Sequence, residues 1–279
     1  MVNTCYTPHT LGEALKILAE THGVLIAGGT DLMVKHLKSD ARPWISLSRI
    51  SALNGIHETN DTLEIGSATP LNTLLDHALT PEFIKSVLLK MASEPIRNLA
   101  TLGGNVLNAS PAGDSLTFLY ALDAVLEVAS LRGHHHVSIH DFIIGPGKTV
   151  IEPDEILVSI AIPKEAYLHA YTSSFYRKVA QRGSNAISKV SFFGLAEVNG
   201  DDILSLRMTF GSAAPTLIRN RTLEDFIVKL HKSELNAHMD MILNKVAASI
   251  SPVDDFRSTS DYRGEVLMNL TRTFLLAHL

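Results

Sequence analysis

Residues 101–114 read Thr101-Leu-Gly-Gly-Asn-Val-Leu-Asn-Ala-Ser-Pro-Ala-Gly-Asp114, and residues 25–32 read Leu25-Ile-Ala-Gly-Gly-Thr-Asp-Leu32. The first stretch is crowded with small and turn-forming residues between two apolar helical patterns. It predicts a long irregular segment of the kind that carries function in compact domains. The second continues an apolar run, Val24 to Ala27, that reads as a buried strand ending in Gly28 and Gly29. Thr30 and Asp31 are good N-cap types and open a short amphipathic segment with Leu32, Met33, His36 and Leu37. Paired glycines carry no Cβ, so backbone N–H groups are able to converge on an anion, and a helix start adds partial positive charge. Two such segments together suit a pyrophosphate; each taken alone reads simply as a tight turn.

Working outward, Leu11, Ala14, Leu15 and Leu18 have helical spacing that stops at Gly23. Trp44 to Leu47 reads as a strand, and Ile56 to Thr59 with Leu63 to Gly66 flank Asn60 and Asp61 as a hairpin. Helices are predicted from Pro70 to His77, from Pro81 to Ala92 and from Ser115 to Leu122. Strands are predicted at Ala124–Ala129, Val137–Ile139 and Glu155–Ile162, with antiparallel alternation. Pro163 to Tyr171 is polar and irregular and forms the preferred boundary. Beyond it come strands at Ser174–Val179, Lys189–Val198 and Leu204–Phe210, the last two joined by the hairpin turn Asn199-Gly200-Asp201-Asp202. Helices fill Thr222 to Leu279 around a polar loop at 251–261.

Composition excludes several functions. Lys plus Arg is 24 against 29 for Asp plus Glu, a net charge of -5, without the positive excess of a phosphate-backbone binder. Nucleic acid is therefore not the expected ligand. No apolar run reaches the roughly 20 residues that cross a bilayer, and the start has no basic or apolar leader, so the expectation is a cytoplasmic chain with no membrane partner. The single cysteine, Cys5, forms no internal disulfide and by itself holds no zinc or iron–sulfur centre. His134, His135 and His136 lie between two strand-like runs and read as a solvated hairpin turn rather than a metal site. A P-loop ending in Gly147-Lys148-Thr149 would need glycine where Phe142 stands. Gly145-Pro-Gly147-Lys-Thr-Val150 ends in valine and is no dinucleotide fingerprint, and no GxSxG elbow occurs.

The runs Leu25 to Leu32, Ile96-Arg-Asn-Leu-Ala-Thr-Leu-Gly-Gly-Asn105, Asn108-Ala-Ser-Pro-Ala-Gly-Asp114, and Phe142-Ile-Ile-Gly-Pro-Gly-Lys-Thr149 with Pro153-Asp-Glu-Ile-Leu157 closely resemble the FAD-binding subunit of the xanthine dehydrogenase and carbon monoxide dehydrogenase family of molybdenum hydroxylases. The resemblance extends through Lys178 and Ala186-Ile-Ser-Lys-Val190. It implies an α+β fold: a vanillyl-alcohol-oxidase-type FAD-binding domain of two subdomains over residues 1–168, split near 55–60, followed by a C-terminal α+β domain with a small antiparallel sheet over 169–279.

The resemblance also implies roles, position by position. Leu25, Ile26, Ala27, Gly28, Gly29, Thr30, Asp31 and Leu32 would form a first pyrophosphate loop, with N–H donors from Ala27 to Asp31. Thr101, Leu102, Gly103, Gly104 and Asn105 would form a second loop beside the diphosphate and flavin ring. Asp114 would anchor the adenosine end, Leu157 would pack near the adenine, and Lys178 would lie at the flavin's pyrimidine edge, stabilising a reduced, anionic flavin. Read without the family, Asp114 is an N-cap of the helix after it and Lys178 an exposed strand lysine. Arg97 reads equally as a surface ion-pair partner or as a support of the second loop. Met91 falls where some relatives place an aromatic residue, and Glu94-Pro95 stand where glutamine is common.

In such a family the molybdenum cofactor and two 2Fe–2S clusters sit on partner subunits only, an iron–sulfur subunit and a molybdenum-cofactor subunit. The FAD subunit passes electrons from the clusters to NAD+ or another acceptor. A xanthine dehydrogenase-like complex is the preferred reading; a nicotinate, aldehyde or carbon monoxide dehydrogenase, or an assembly module that has lost its flavin, are the alternatives.

Overall fold

The computed structural model describes residues 4–35, 41–168, 171–183 and 185–279. His36 and Leu37 of the amphipathic segment, and residues 169 and 170 of the polar boundary, lie outside the described residues. By packing the chain forms two compact units. One is built from residues 1–81, 92–109 and 123–164, the other from 82–91, 110–122 and 165–279.

After the short strand Cys5–Tyr6 the first unit forms a helix, Leu11–Thr21, whose start is fixed by a reciprocal cap. Thr10 Oγ1 accepts from the Glu13 N–H at 3.2 Å, and the Glu13 carboxylate accepts from the His9 and Thr10 N–H groups. Ala14, Leu15 and Leu18 turn inward, and the helix ends on His22 in the left-handed region. A three-stranded parallel sheet follows, ordered Cys5–Tyr6, Trp44–Ser46, Val24–Ile26. Its central strand and the helix bury Ile45, Ile50, Leu53 and Leu18 in one apolar cluster.

The unit's second sheet is antiparallel and five-stranded, ordered Ile56–Glu58, Thr62–Gly66, Ile156–Pro163, Val125–Ser130, Gly133–Ser138. Here the histidine run corrects the sequence reading. His134, His135 and His136 are residues of the edge strand, exposed and paired with Ala129, Val128 and Glu127; the turn is made by Leu131 and Arg132. Polar, solvated side chains suit a sheet edge, which has no further strand to cover it. No cluster of His, Cys, Asp and Glu able to hold a metal occurs among the described residues.

The second unit is built on a four-stranded antiparallel sheet, Ser173–Ala180, Ser188–Asn199, Asp202–Gly211 and Ile218–Arg219. Helices Arg221–Val228, Leu235–Ser249 and Ser260–Ala277 pack with it around Phe192, Phe210 and Phe274. The rings of Phe192 and Phe210 meet edge-on at 5.5 Å. Gly194 lies under Phe274, where an added Cβ would come within 2.6 Å of the ring. Gly194→Ala is therefore expected to cost about 1–3 kcal/mol through overpacking, read as a lower urea midpoint at unchanged m.

The helix Asp114–Ala121 also belongs to this unit, and every one of its residues is buried. A buried helix must satisfy its last carbonyls, and side chains of the sheet do so. Arg207 donates to Ala121 O at 2.7 Å, Arg219 to Tyr120 O at 3.3 Å, and Thr209 Oγ1 to Thr117 O at 2.9 Å. Arg219 also grips Glu224 at 3.0 Å, both side chains only 5% exposed, and the Glu224 carboxylate accepts from Met208 N–H. Among the described residues no helix is long and apolar enough to cross a membrane.

Candidate functional site

The first unit holds a cavity of about 440 Å³, within the range of small-molecule sites. Its wall includes all of Leu25 to Leu32, together with Thr101, Gly103, Gly104, Asn105 and Leu157. Thirteen of the sixteen residues expected at a cofactor thus share one lining. Leu102 is fully buried behind it, and Asp114 and Lys178 belong to the other unit.

The two glycine segments meet for a steric reason. A Cβ on Gly28 would lie 1.7 Å from Leu99 O, and one on Gly103 would lie 2.5 Å from Ser67 O. Only glycine permits either approach. Gly29 adopts φ +69°, which turns the chain back after the strand. The consequence is a run of exposed backbone polarity. Among the described residues, no hydrogen bond within the protein occupies the N–H of Ala27, Gly28, Gly29, Thr30 or Asp31. Such a concave run of donors is an anion cradle. Among the described residues the only charged side chain in the lining is Asp31, so an anion here would be held by peptide dipoles rather than by lysine or arginine.

The second segment is built differently from expectation. Residues Leu102–Leu107 form a helix, not an irregular loop, with Thr101 as its cap. The first-turn donors are already used: Leu102 N–H by Thr69 O, Gly103 N–H by Ser67 O, and Gly104 N–H by Thr101 Oγ1 at 3.0 Å. This segment supplies shape and side-chain groups, including Asn105 and Asn108, rather than a second set of open N–H donors. Thr101 followed by helix-forming Leu, Val and Leu carried the capping signal, which the glycines obscured.

Other lining residues escaped the sequence reading: Leu47, Ser67, Ala100, Leu107, Asn108, Gly147 and Ile156. Gly147 had the clearest signal, as the φ +67° residue of the turn between Ile143–Gly145 and Lys148–Thr149, anchored by its N–H to Ala109 O at 2.9 Å. Lys148 beside it is exposed. Arg97 is buried, with its guanidinium donating to Ala92 O, so the surface ion-pair reading is overturned. Pro95 sits in the first turn of the short helix Glu94–Arg97, and Met91 is buried.

In the second unit, Asp114 and Lys178 are partners. Lys178 Nζ lies 2.6 Å from Asp114 Oδ2, and both side chains are nearly buried. The two side chains expected at separate parts of a cofactor thus meet in one ion pair within this unit. Nor is Asp114 the N-cap: Gly113 holds that position and Asp114 is the first helical residue. Its Oδ1 instead accepts from Tyr176 Oη and Ser188 Oγ, each at 2.8 Å. Burial, then the neighbouring Asp114 charge, push the Tyr176 phenol well above its ordinary value, so it remains a donor. Lys178 is not an exposed strand lysine; it also donates to Lys90 O at 3.3 Å.

Comparison with known proteins decides the family. Residues 1–165 match the FAD binding domain in molybdopterin dehydrogenase, and residues 175–278 match the CO dehydrogenase flavoprotein C-terminal domain. The chain belongs to the FAD-binding flavoprotein family of the molybdopterin dehydrogenases. It is 31% identical over 271 residues to the xanthine dehydrogenase FAD-binding subunit of Escherichia coli O157:H7, covering 94% of this chain and 91% of that one. It is 32% identical over 197 residues to the nicotinate dehydrogenase FAD-subunit of Eubacterium barkeri, covering 66% and 65% of the two. Its fold matches a carbon monoxide dehydrogenase structure from Hydrogenophaga pseudoflava with TM-score 0.89 at 22% identity, over 98% of this chain and 96% of that one. This flavoprotein is thus an oxidoreductase subunit with an α+β fold, an FAD-binding domain followed by a C-terminal domain.

Proposed function

We propose that the cavity of the first unit binds FAD and that the chain passes electrons from iron–sulfur clusters on one partner subunit to NAD+ or another acceptor. The complex would be xanthine dehydrogenase-like, with its molybdenum cofactor on a further subunit, and cytoplasmic. The observation that carries the reading is the run of open N–H groups from Ala27 to Asp31, a cradle whose close approach a Cβ at Gly28 would destroy. That cradle suits the pyrophosphate of a dinucleotide, with Thr101 to Asn105 shaping the wall and Leu157 and Ile156 offering apolar contact. Bound flavin supplies the chemistry that no side chain here supplies, accepting electrons one at a time and releasing them as a pair. The protein's own work is to bind, orient and shield. The substrate is chosen on the molybdenum subunit, so the nicotinate dehydrogenase relative implies the same role for this chain with a different partner.

Heating the purified chain and identifying the released flavin by chromatography tests this directly. FAD is expected. Gly104 has its α-carbon exposed in the lining, and an added Cβ meets only Thr101 Oγ1, at 3.0 Å. Gly104→Trp is therefore expected to fold and to weaken FAD binding by roughly tenfold or more. A chain that takes up no flavin even with excess FAD would sink the reading and favour an assembly module. Co-purification with a molybdenum-bearing chain separates a subunit of a complex from a free-standing flavin reductase.

A further inference from the structure

We propose that Asp31 is a specificity-determining residue of the cavity, placed to limit how much negative charge an occupant brings to the N–H cradle. The inference deepens the function above and rests on its reading of the cavity as a dinucleotide site; every residue it uses lies in the first unit. Asp31 closes the run of open donors that begins at Ala27, so an anion held by those N–H groups lies within a side chain's length of its carboxylate. Structural duties do not account for that carboxylate. Asp31 stands immediately before the short helix Leu32–Lys35, where an aspartate ordinarily caps. Among the described residues, its exposed side chain nevertheless accepts no hydrogen bond and joins no ion pair. The turn is closed by backbone instead, Met33 N–H donating to Gly29 O at 2.9 Å and Val34 N–H to Asp31 O at 3.2 Å. Among the described residues the lining has no lysine or arginine to offset the charge. An unpaired carboxylate in an anion site is a repulsive element, and a repulsive element discriminates among ligands that share the attractive one.

The ligands in question are FAD, ADP and ATP, which share an adenosine pyrophosphate and differ in charge. Each phosphoryl group of FAD carries a single charge, because neither is terminal. ADP ends in a phosphate whose second ionisation falls at about pH 6, so at neutral pH it brings nearly one charge more, and ATP brings more still. The cradle attracts all three through the same N–H groups, while Asp31 repels the extra charge of the mononucleotides. Competition of ADP against FAD on the full chain freed of flavin, followed by flavin fluorescence at low salt, tests this. In Asp31→Asn the ratio of the ADP to the FAD dissociation constant is expected to fall roughly threefold to tenfold, the effect of one unit charge a few ångströms away in a solvent-open setting. FAD itself should bind no more weakly than to wild type, and ATP should gain more than ADP. Asp31→Ser should behave as Asp31→Asn does, whereas Asp31→Glu keeps the charge and should keep the wild-type ratio. The difference between wild type and Asp31→Asn should close at about 1 M salt, where charges are screened within about 3 Å. A ratio unmoved in Asp31→Asn, with FAD still bound, would overturn the charge filter and leave the FAD reading standing. Weaker FAD binding by Asp31→Asn would overturn it as well, making the carboxylate an acceptor for a cofactor hydroxyl. A wild-type chain that takes up no FAD, whatever it does with ADP, would instead remove the FAD reading of the cavity, and this inference with it.

Discussion

Gly28→Ala is expected to strip the chain of flavin and to lower its thermal midpoint. The added methyl would sit 1.7 Å from Leu99 O, far inside van der Waals contact. The neighbouring backbone has little room to yield. Leu99 N–H and Ala100 N–H both donate to Ile96 O, and Ala100 O accepts from Leu71 N–H at 2.8 Å. Relief must therefore come from moving the loop that carries the open donors of Ala27 to Asp31. We expect a cost of about 3 kcal/mol, the upper end for overpacking, and loss of the 450 nm flavin band in purified protein. Gly29→Ala is a useful contrast: its methyl finds contacts no closer than 3.3 Å, so its cost comes from the positive φ alone, about 1 kcal/mol. Equal flavin content in wild type and Gly28→Ala would show that the loop is not the cradle.

The second large effect is expected at Arg219. Its guanidinium holds Glu224 through both carboxylate oxygens at 3.0–3.1 Å in a nearly solvent-free setting. Removing one member of such a pair leaves an uncompensated buried charge, and Arg219→Met should cost about 3–5 kcal/mol by urea denaturation at neutral pH. Burial already holds the Glu224 carboxyl above its ordinary value, with Arg219 opposing that rise. Without Arg219 the rise is larger, so the folded variant binds a proton more tightly than the unfolded chain. The group's favourable contribution is then complete below the unfolded carboxyl range and lost as pH climbs through the raised folded value. The deficit of Arg219→Met should accordingly shrink as pH falls from neutrality toward 5. Glu224→Gln added to Arg219→Met should recover part of the loss, because the amide oxygen still accepts from Met208 N–H without a charge. A deficit independent of pH would refute the buried-charge explanation.

Much of this was legible along the chain because its signals are local. The helical spacing of Leu11 to Leu18, the helix start at Pro70, the turn at Gly200, and the alternation of Leu204 to Phe210 depend on residues within a few positions of one another. Composition was equally direct: one cysteine leaves no means of holding a cluster on this chain. The glycine pairs marked the two segments that meet in the cavity, and in each pair one glycine, Gly28 or Gly103, stands where a Cβ is excluded. What they could not convey was the neighbour responsible, Leu99 O for Gly28 and Ser67 O for Gly103, since those carbonyls come from other parts of the chain. For the same reason the second segment read as loop although it is a capped helix with its N–H groups in use.

Sequence alone determined the family, most of the order of elements and thirteen of the residues that line the cavity, through local spacing and through motifs that recur in order. Tertiary structure alone decided which donors stay open, that the histidine run is a sheet edge, and that Asp114 and Lys178 form a nearly buried pair. The physical reason is that a hydrogen bond or a desolvated charge is defined by its partner. Asp114, Tyr176, Lys178 and Ser188 span 74 residues between the most distant hydrogen-bonded pair, and only folding places their oxygens and nitrogen within 3 Å.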